Sequence, residues 1–173
     1  KLPESGEYRP VMTLKNVVKM EEEAIALGGG AVNPYSAIGK FLRAYFYVRM
    51  TQRVGDLPLN EALKGLEGVA PVYDTQKEVY LQVLTWLDES NTELAQLIAS
   101  NNFTLAGDFY FNNDLTKWQR AVNTFKLRVL ISLSKKEADA ELNVKARFKA
   151  VLDNPAQFPV MTSLADNMAY IYN

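Results

Sequence analysis

The sequence predicts an all-α fold of stacked antiparallel helix pairs joined by irregular loops. Three observations carry this reading. Apolar residues recur mainly at spacings of three, four and seven, which places them on one face of a helix. Helix start signals stand where the apolar runs begin, at Asn33-Pro34, at Thr75-x-x-Glu78 and at Asp114. Strand signals are poor throughout.

The first helix opens near Pro10, where a missing N–H does no harm. Val11, Leu14, Val17, Val18 and Ile25 form its apolar face. Gly28-Gly29-Gly30 stops it, because three glycines in a row carry a high backbone entropy. The second helix takes Asn33 as its N-cap with Pro34 behind it. Ile38, Phe41, Leu42, Tyr45 and Phe46 form its buried stripe, while Arg43, Arg49 and Arg53 fall on other faces. Gly55 is its C-cap and Pro58 prevents continuation, so Gly55-Asp56-Leu57-Pro58-Leu59 is a sharp exit. Residues 60–73 read as a loop punctuated by Gly65, Gly68 and Pro71.

The capping box Thr75-x-x-Glu78 opens the third helix. Val79, Tyr80, Val83, Trp86, Leu87, Leu94, Leu97 and Ile98 point inward, and the polar run Asp88 to Glu93 is an exposed stretch of the same helix. Residues 99–113 form a second loop, rich in Asn and aromatics. Asp114 caps a fourth helix with Trp118, Ala121, Val122, Phe125 and Val129 on one stripe and Leu127, Leu130 and Ile131 beside it. An arc that wide predicts burial on more than one side. A fifth helix covers about 138–153, with Val144, Phe148, Val151 and Leu152 inward, and stops before Pro155. Residues 155–173 show no periodicity. The length fits a single helical domain over residues 1–173. Helices two to four start about 40 residues apart, but matched positions do not agree, so no clean repeat is visible.

Composition removes whole classes of chemistry. Hydrophobic residues make up 48% and charged residues 23%, the balance of a chain that folds. With no Cys there is no disulfide, thiolate metal site or cysteine nucleophile in the chain. With no His, imidazole-based triads and zinc sites are excluded within it. Lys and Arg total 19 against 20 Asp and Glu, a net charge of −1, which argues against a general nucleic-acid binder. Nine Lys/Arg against four Asp/Glu lie between Asp114 and Lys149, but no aromatic-basic interleaving accompanies them. Lys135 and Lys136 offset the end of the fourth helix. No stretch approaches the roughly 18 uninterrupted apolar residues of a membrane helix. The chain begins at Lys1 rather than Met, so we expect a trimmed chain or a piece of a longer one.

Two segments carry a resemblance. The first is Phe41-Leu42-Arg43-Ala44-Tyr45-Phe46-Tyr47 leading to Val54-Gly55-Asp56-Leu57-Pro58-Leu59. The second is Gly107-Asp108-Phe109-Tyr110-Phe111-Asn112-Asn113-Asp114-Leu115-Thr116-Lys117-Trp118, continuing through Ala121-Val122-Asn123-Thr124-Phe125-Lys126-Leu127-Arg128. Between them Pro71-Val72-Tyr73-Asp74-Thr75 runs into a long helix. This order resembles the SusD/RagB family of Bacteroidetes outer-membrane proteins, over about residues 35–150. The motif residues are Arg43, Gly55, Asp56, Pro58, Trp118, Asn123 and Arg128. Asn123-Thr124-Phe125 stands where the family usually has Asn-Ser-Leu, and Asn113 where it often has glycine. The resemblance implies a helical scaffold with tetratricopeptide-like pairs, forming part of a longer protein. It further implies a non-enzymatic surface lipoprotein of the outer membrane, with no cofactor. Such a protein captures a polysaccharide, an oligosaccharide or in some members a peptide. It hands this ligand to a SusC-type TonB-dependent transporter. Membrane attachment would run only through an N-terminal lipid on a cysteine that this chain lacks. The rival reading, from the amphipathic helices alone, is a helical protein-interaction scaffold with no small ligand.

Individual residues divide between core and ligand. Trp118 shares a stripe with Ala121, Val122 and Phe125, and Trp86 lies on an inward face, so both read as core. Phe109, Tyr110 and Phe111 are consecutive, so not all can face one core, and they are the candidate ligand platform. Asp108, Asn112, Asn113 and Asp114 fail the calcium-loop spacing, and capping explains Asp114 better. No two acids form a recognisable glycosidase pair. Glu21-Glu22-Glu23 reads as a solvated face, and Arg43 and Arg128 as salt-bridge or carbonyl-capping residues of the scaffold. Asn102-Phe103-Thr104 is a glycosylation sequon only in a eukaryotic secretory pathway. Asn123, on a largely apolar helix, is expected to bond to backbone of the Gly55-Asp56-Leu57 turn or of the loop before the fourth helix.

Overall fold

The computed structural model describes residues 9–59 and 72–169, with the side chains of residues 9–12 outside that description. Helices α1 (Arg9–Ala26), α2 (Pro34–Val54), α3 (Gln76–Ser100), α4 (Leu115–Ser132) and α5 (Val144–Asp153) come in that order. Short 3-10 turns lie at Ser134–Lys136 and Leu164–Asp166. Among the described residues the only extended pairing is one isolated antiparallel bridge, Leu57 to Asp74. The loop expected at 60–73 falls mostly outside the described residues, as does the side chain of Val11.

The caps read from sequence hold these helices. Asn33 Oδ1 accepts the Ser36 amide at 2.9 Å, with Pro34 in the first turn. Thr75 and Glu78 close a reciprocal capping box. Caps of this kind contribute about 1 kcal/mol each. At the exit of α2, Gly55 has φ +82, where a side chain would be strained. The exit turn is fastened to the start of α3. Leu57 and Asp74 exchange backbone bonds of 3.1 and 3.0 Å. Asp56 Oδ1 accepts the Gln76 amide at 2.8 Å, so this carboxylate caps α3 from outside the helix. The Gln76 side chain donates to the Thr51 carbonyl at 2.7 Å, and Tyr47 donates its hydroxyl to the Pro58 carbonyl at 3.4 Å. Gly55, Asp56 and Pro58 thus form one clamp that turns α2 back along α3.

The clamp makes α2 and α3 antiparallel: Thr51 meets Gln76 at one end, and Lys40 pairs with Glu93 at the other. Ala37, Ala44, Val83 and Leu87 are fully buried between them. Small residues on α2 let the axes approach, and the Ser90 hydroxyl donates to the Ala37 carbonyl at 2.7 Å. α4 runs antiparallel to α3, since Asp88 faces Lys126 while Asn91 faces Gln119 and Asn123. The result is a tetratricopeptide-like stack of helix pairs.

α1 lies on α2 through a contact that corrects the sequence reading. Glu21 is not solvated like Glu22 and Glu23. It is 7% exposed and pairs with Arg43. Its carboxylate sits where a Cβ on Gly39 would come within 2.3 Å of Oε1, so a larger residue there would push the Glu21 side chain aside. Arg43 also stands 5.8 Å above the Trp86 ring. That fits its assignment as a scaffold ion-pair residue.

Other expectations need correction for related reasons. Ile25, Ile131 and Leu152 are exposed at 54%, 60% and 54%, because no described element covers those faces. α5 begins at Val144, not near 138. Residues before it form turns in which Asp139 Oδ1 accepts the Glu141 and Leu142 amides. Local side-chain bonding of this kind competes with the helix. The polar run in α3 does not break the helix, but Ser90 and Asn91 within it are buried.

Of these, Asn91 helps hold the C-terminal segment. Asn91 Oδ1 accepts the side-chain amides of Gln119 (3.0 Å) and Asn123 (2.8 Å), while Asn91 Nδ2 donates to the Gln157 carbonyl at 3.2 Å. Asn123 is fully buried and also donates to the Pro159 carbonyl at 3.0 Å. Its backbone partner is therefore the segment after α5, not the Gly55-Asp56-Leu57 turn or the loop before α4. Thr124 Oγ1 accepts the Met161 amide at 2.9 Å. Lys126 pairs with Asp88 and lies 4.8 Å from the Phe158 ring. The expected lack of periodicity at 155–169 is real. Apart from local turns such as Leu164–Asp166, the stretch is held by side chains of α3 and α4.

Asp166 closes that segment. Its carboxylate accepts the Thr162 amide at 3.0 Å and the Arg120 guanidinium at 2.6 Å. These bonds, the amide first, pull its pKa down from 3.8 to about 2. A depressed carboxylate stabilises fully above its ordinary value and loses that effect as pH falls through the folded value. Residues 157–166 are therefore expected to loosen between about pH 4 and pH 2. The Thr162 amide resonance should titrate across that window, and Asp166→Asn should abolish the titration. A Thr162 signal unchanged over this range would contradict the assignment.

Candidate functional site

The connection from α3 to α4 holds the candidate ligand platform. α3 ends at Asn101 in the left-handed region, φ 47. The chain then passes Tyr35, whose hydroxyl accepts the Ala106 amide at 3.1 Å. Asp108 organises the turn into α4. Its Oδ1 accepts the amides of Tyr110 (2.9 Å) and Phe111 (3.2 Å). Its Oδ2 accepts the Asn113 amide at 3.1 Å and the Trp118 indole N–H at 2.8 Å. Asn112 and Asn113 are left-handed, φ 53 and 66, a conformation asparagine tolerates better than most residues. This explains how asparagine serves at a position where glycine is the alternative.

Asp114 then caps α4, accepting the amides of Thr116 (2.8 Å) and Lys117 (3.3 Å) and the Thr116 hydroxyl. Partial burial pushes its carboxyl pKa up, but these hydrogen bonds outweigh it and hold the group below its ordinary value. Both acids of this turn are engaged by protein donors. Among the described residues no group of three His, Cys, Asp or Glu comes together.

The three aromatics part company. Phe111 is buried edge-on to Trp118, with centroids 5.1 Å apart. Trp118 is itself 3% exposed, and the Phe41 ring lies 5.9 Å from it. Tyr110 is half-buried, edge-on to Trp118 at 6.3 Å. Phe109 is 64% exposed, its ring 4.5 Å from Tyr110. The exposed part of the platform is thus Phe109 with the half-buried Tyr110 beside it, on a turn that Asp108 and Trp118 hold. The start of the same connection, at Asn102, Phe103 and Thr104, lines a groove of about 770 Å³ together with Met20, Leu27 and Tyr35. Exposed aromatic rings and a partly apolar groove each suit a ligand with C–H faces and hydroxyl edges.

Of the remaining motif residues, Gly55, Asp56 and Pro58 form the exit clamp, Asn123 anchors the C-terminal segment, and Arg43 pairs with Glu21. Arg128 is exposed and makes no ion pair or carbonyl bond among the described residues. The central role of Asp108 was missed in the sequence. Its signal is an acid two and three residues before amides that nothing else could satisfy at a helix entrance. Among the described residues no helix is long and apolar enough to cross a membrane.

Comparison with known proteins agrees with this architecture. A SusD-like family model, described as starch-binding and associating with the outer membrane, matches residues 5–173. The structure is similar to an outer membrane protein of Bacteroides vulgatus whose description points to nutrient binding. The two share 34% identity with a TM-score of 0.80, covering 94% of this chain and 34% of that one. Two SusD homologues from Bacteroides fragilis are each 36% identical, with TM-scores of 0.78 and 0.79. They are covered over 32% and 33% of their length, and this chain over 92% and 95%. The chain thus spans about a third of the length of these solved relatives. No curated protein matches it significantly. The ordered motifs, the helix stack and the family match over nearly the whole chain lead to one conclusion: this chain belongs to the SusD-like family of starch-binding proteins that associate with the outer membrane.

Proposed function

We propose that the protein captures glycans, or peptides, without cleaving them, as a lipid-anchored protein exposed at the outer cell surface. It passes them to a SusC-type TonB-dependent transporter. In this reading residues 1–173 act as one helical unit of the full-length protein. The observation that carries it is the Phe109–Tyr110 pair, on a turn held by Asp108 and Trp118, in a chain of a starch-binding family. A sugar ring stacked on Phe109 would keep its hydroxyls in water while its C–H face is covered.

Calorimetry of the full-length protein with a panel of glycans and peptides tests this. Binding without release of reducing ends is expected. Phe109→Ala should weaken binding about tenfold, in line with about 0.5–1.5 kcal/mol for an aromatic contact beyond its area. The melting temperature should stay within about 1 °C, since an exposed side chain adds little stability. Unchanged affinity in this variant would remove Phe109 from the site.

One observation favours the rival reading, a protein-interaction scaffold. Ile131, Phe148 and Leu152 leave an apolar groove of about 380 Å³ between α4 and α5. Pull-down of a transporter together with protease shaving at the cell surface supports capture. A set of cytosolic partners with no shaving supports the scaffold.

A further inference from the structure

We infer that the groove between α2 and α4 is a second sugar site, selective for a sugar bearing an acidic group, either a uronate carboxylate or a sulfate ester. The inference rests on the glycan-capture reading and narrows its substrate class. Among arginines with described side chains, Arg43, Arg120 and Arg147 each pair with a carboxylate. The three that pair with none, Arg49, Arg53 and Arg128, all line this one groove. Among the described residues no acid lines it with them. Cations elsewhere on these helices, such as Lys40 and Lys126, find acidic partners across the helix interface. Three like charges gathered with no counter-charge among the described lining residues leave a positive field that an anion relieves.

The other lining groups suit a sugar. Tyr45 and Phe125 present half-buried rings with centroids 5.5 Å apart. Arg49 donates to the Tyr45 hydroxyl at 2.7 Å and stands 5.5 Å over its ring, so its guanidinium is held in place. Gln52 and Ser132 add hydrogen-bonding side chains. Planar guanidinium groups bind carboxylate and sulfate-like oxyanions through paired N–H donors. The groove measures about 340 Å³. That is the low end of the roughly 300–1,000 Å³ range of small-molecule sites, fitting one sugar unit better than an extended peptide.

The test is calorimetry on the full-length protein with four probes: oligogalacturonate, a sulfated oligosaccharide, a neutral malto-oligosaccharide and oligoglutamate. At least one acidic sugar should bind more tightly than the neutral one, and added salt should weaken it. Arg53→Gln with Arg128→Gln should weaken acidic-sugar binding about tenfold or more, because charge-assisted pairs are lost. Neutral-glycan binding and the circular-dichroism melting temperature should not change, since both side chains are exposed. Acidic sugars binding no better than the neutral one, or a double variant that binds them equally well, would overturn the inference and leave capture standing. Oligoglutamate binding as tightly through the same arginines would overturn it in favour of a protein carboxylate as the occupant. If no glycan of any kind binds, both readings fall.

Discussion

Trp118→Ala is expected to lower the unfolding free energy by about 3–5 kcal/mol, the usual cost of removing a large buried ring. The indole is 3% exposed and packs edge-on against Phe41 and Phe111. Its N–H is also one of the donors that hold Asp108. The variant therefore loses core contacts and loosens the turn carrying Phe109 at once. Trp118→Phe separates the two effects. It keeps a ring in the core but leaves Asp108 without the indole donor, which should cost about 1.5–3 kcal/mol for a bond to a charged group. Denaturant unfolding gives the stability, and amide exchange at Tyr110 and Asn113 reports the turn. If Trp118→Ala kept full stability while glycan binding vanished, the ring would be a ligand contact and not core.

The second large effect is expected at Asn123. Replacement by leucine removes the donor to Asn91 Oδ1 and to the Pro159 carbonyl. Asn91 keeps its bond from Gln119, so the main loss falls on Pro159. A half-buried carbonyl left without its partner costs at most about 1–3 kcal/mol, and a branched apolar side chain in the fully closed site at 123 adds to this. The segment at 157–161 should gain exchange at Met161 before the helices open. Ligand affinity per folded molecule should stay the same, because the bonds of Asn123 run to α3 and the C-terminal segment and not to the Phe109 turn. Protection at Met161 equal to the parent protein would show that Thr124 and Lys126 hold the segment unaided.

Much of this molecule was legible in residue order because its determinants are local. A cap needs a side chain two or three residues from the amide it satisfies, so Asn33, Thr75 and Asp114 announce their helices. A helix face repeats every three or four residues, so Phe41, Val83 and Trp118 announce the core. Gly55-Asp56-x-Pro58 announces a turn, and the ordered motifs announce the family. Tertiary structure decided everything that depends on a partner far along the chain. Glu21 looks like Glu22 and Glu23 in sequence, and only the space above Gly39 and the charge of Arg43 draw it inward. Asn123 was recognisable as a buried amide, but its partner lies 36 residues ahead, in a stretch with no periodicity. Arg49 and Arg53 come from α2 and Arg128 from α4, and they line one groove only because those two helices are packed together. Periodicity tells a residue which way to face on its own helix. The identity of its partner there is set by the crossing of helices, and that information is spread across the whole chain.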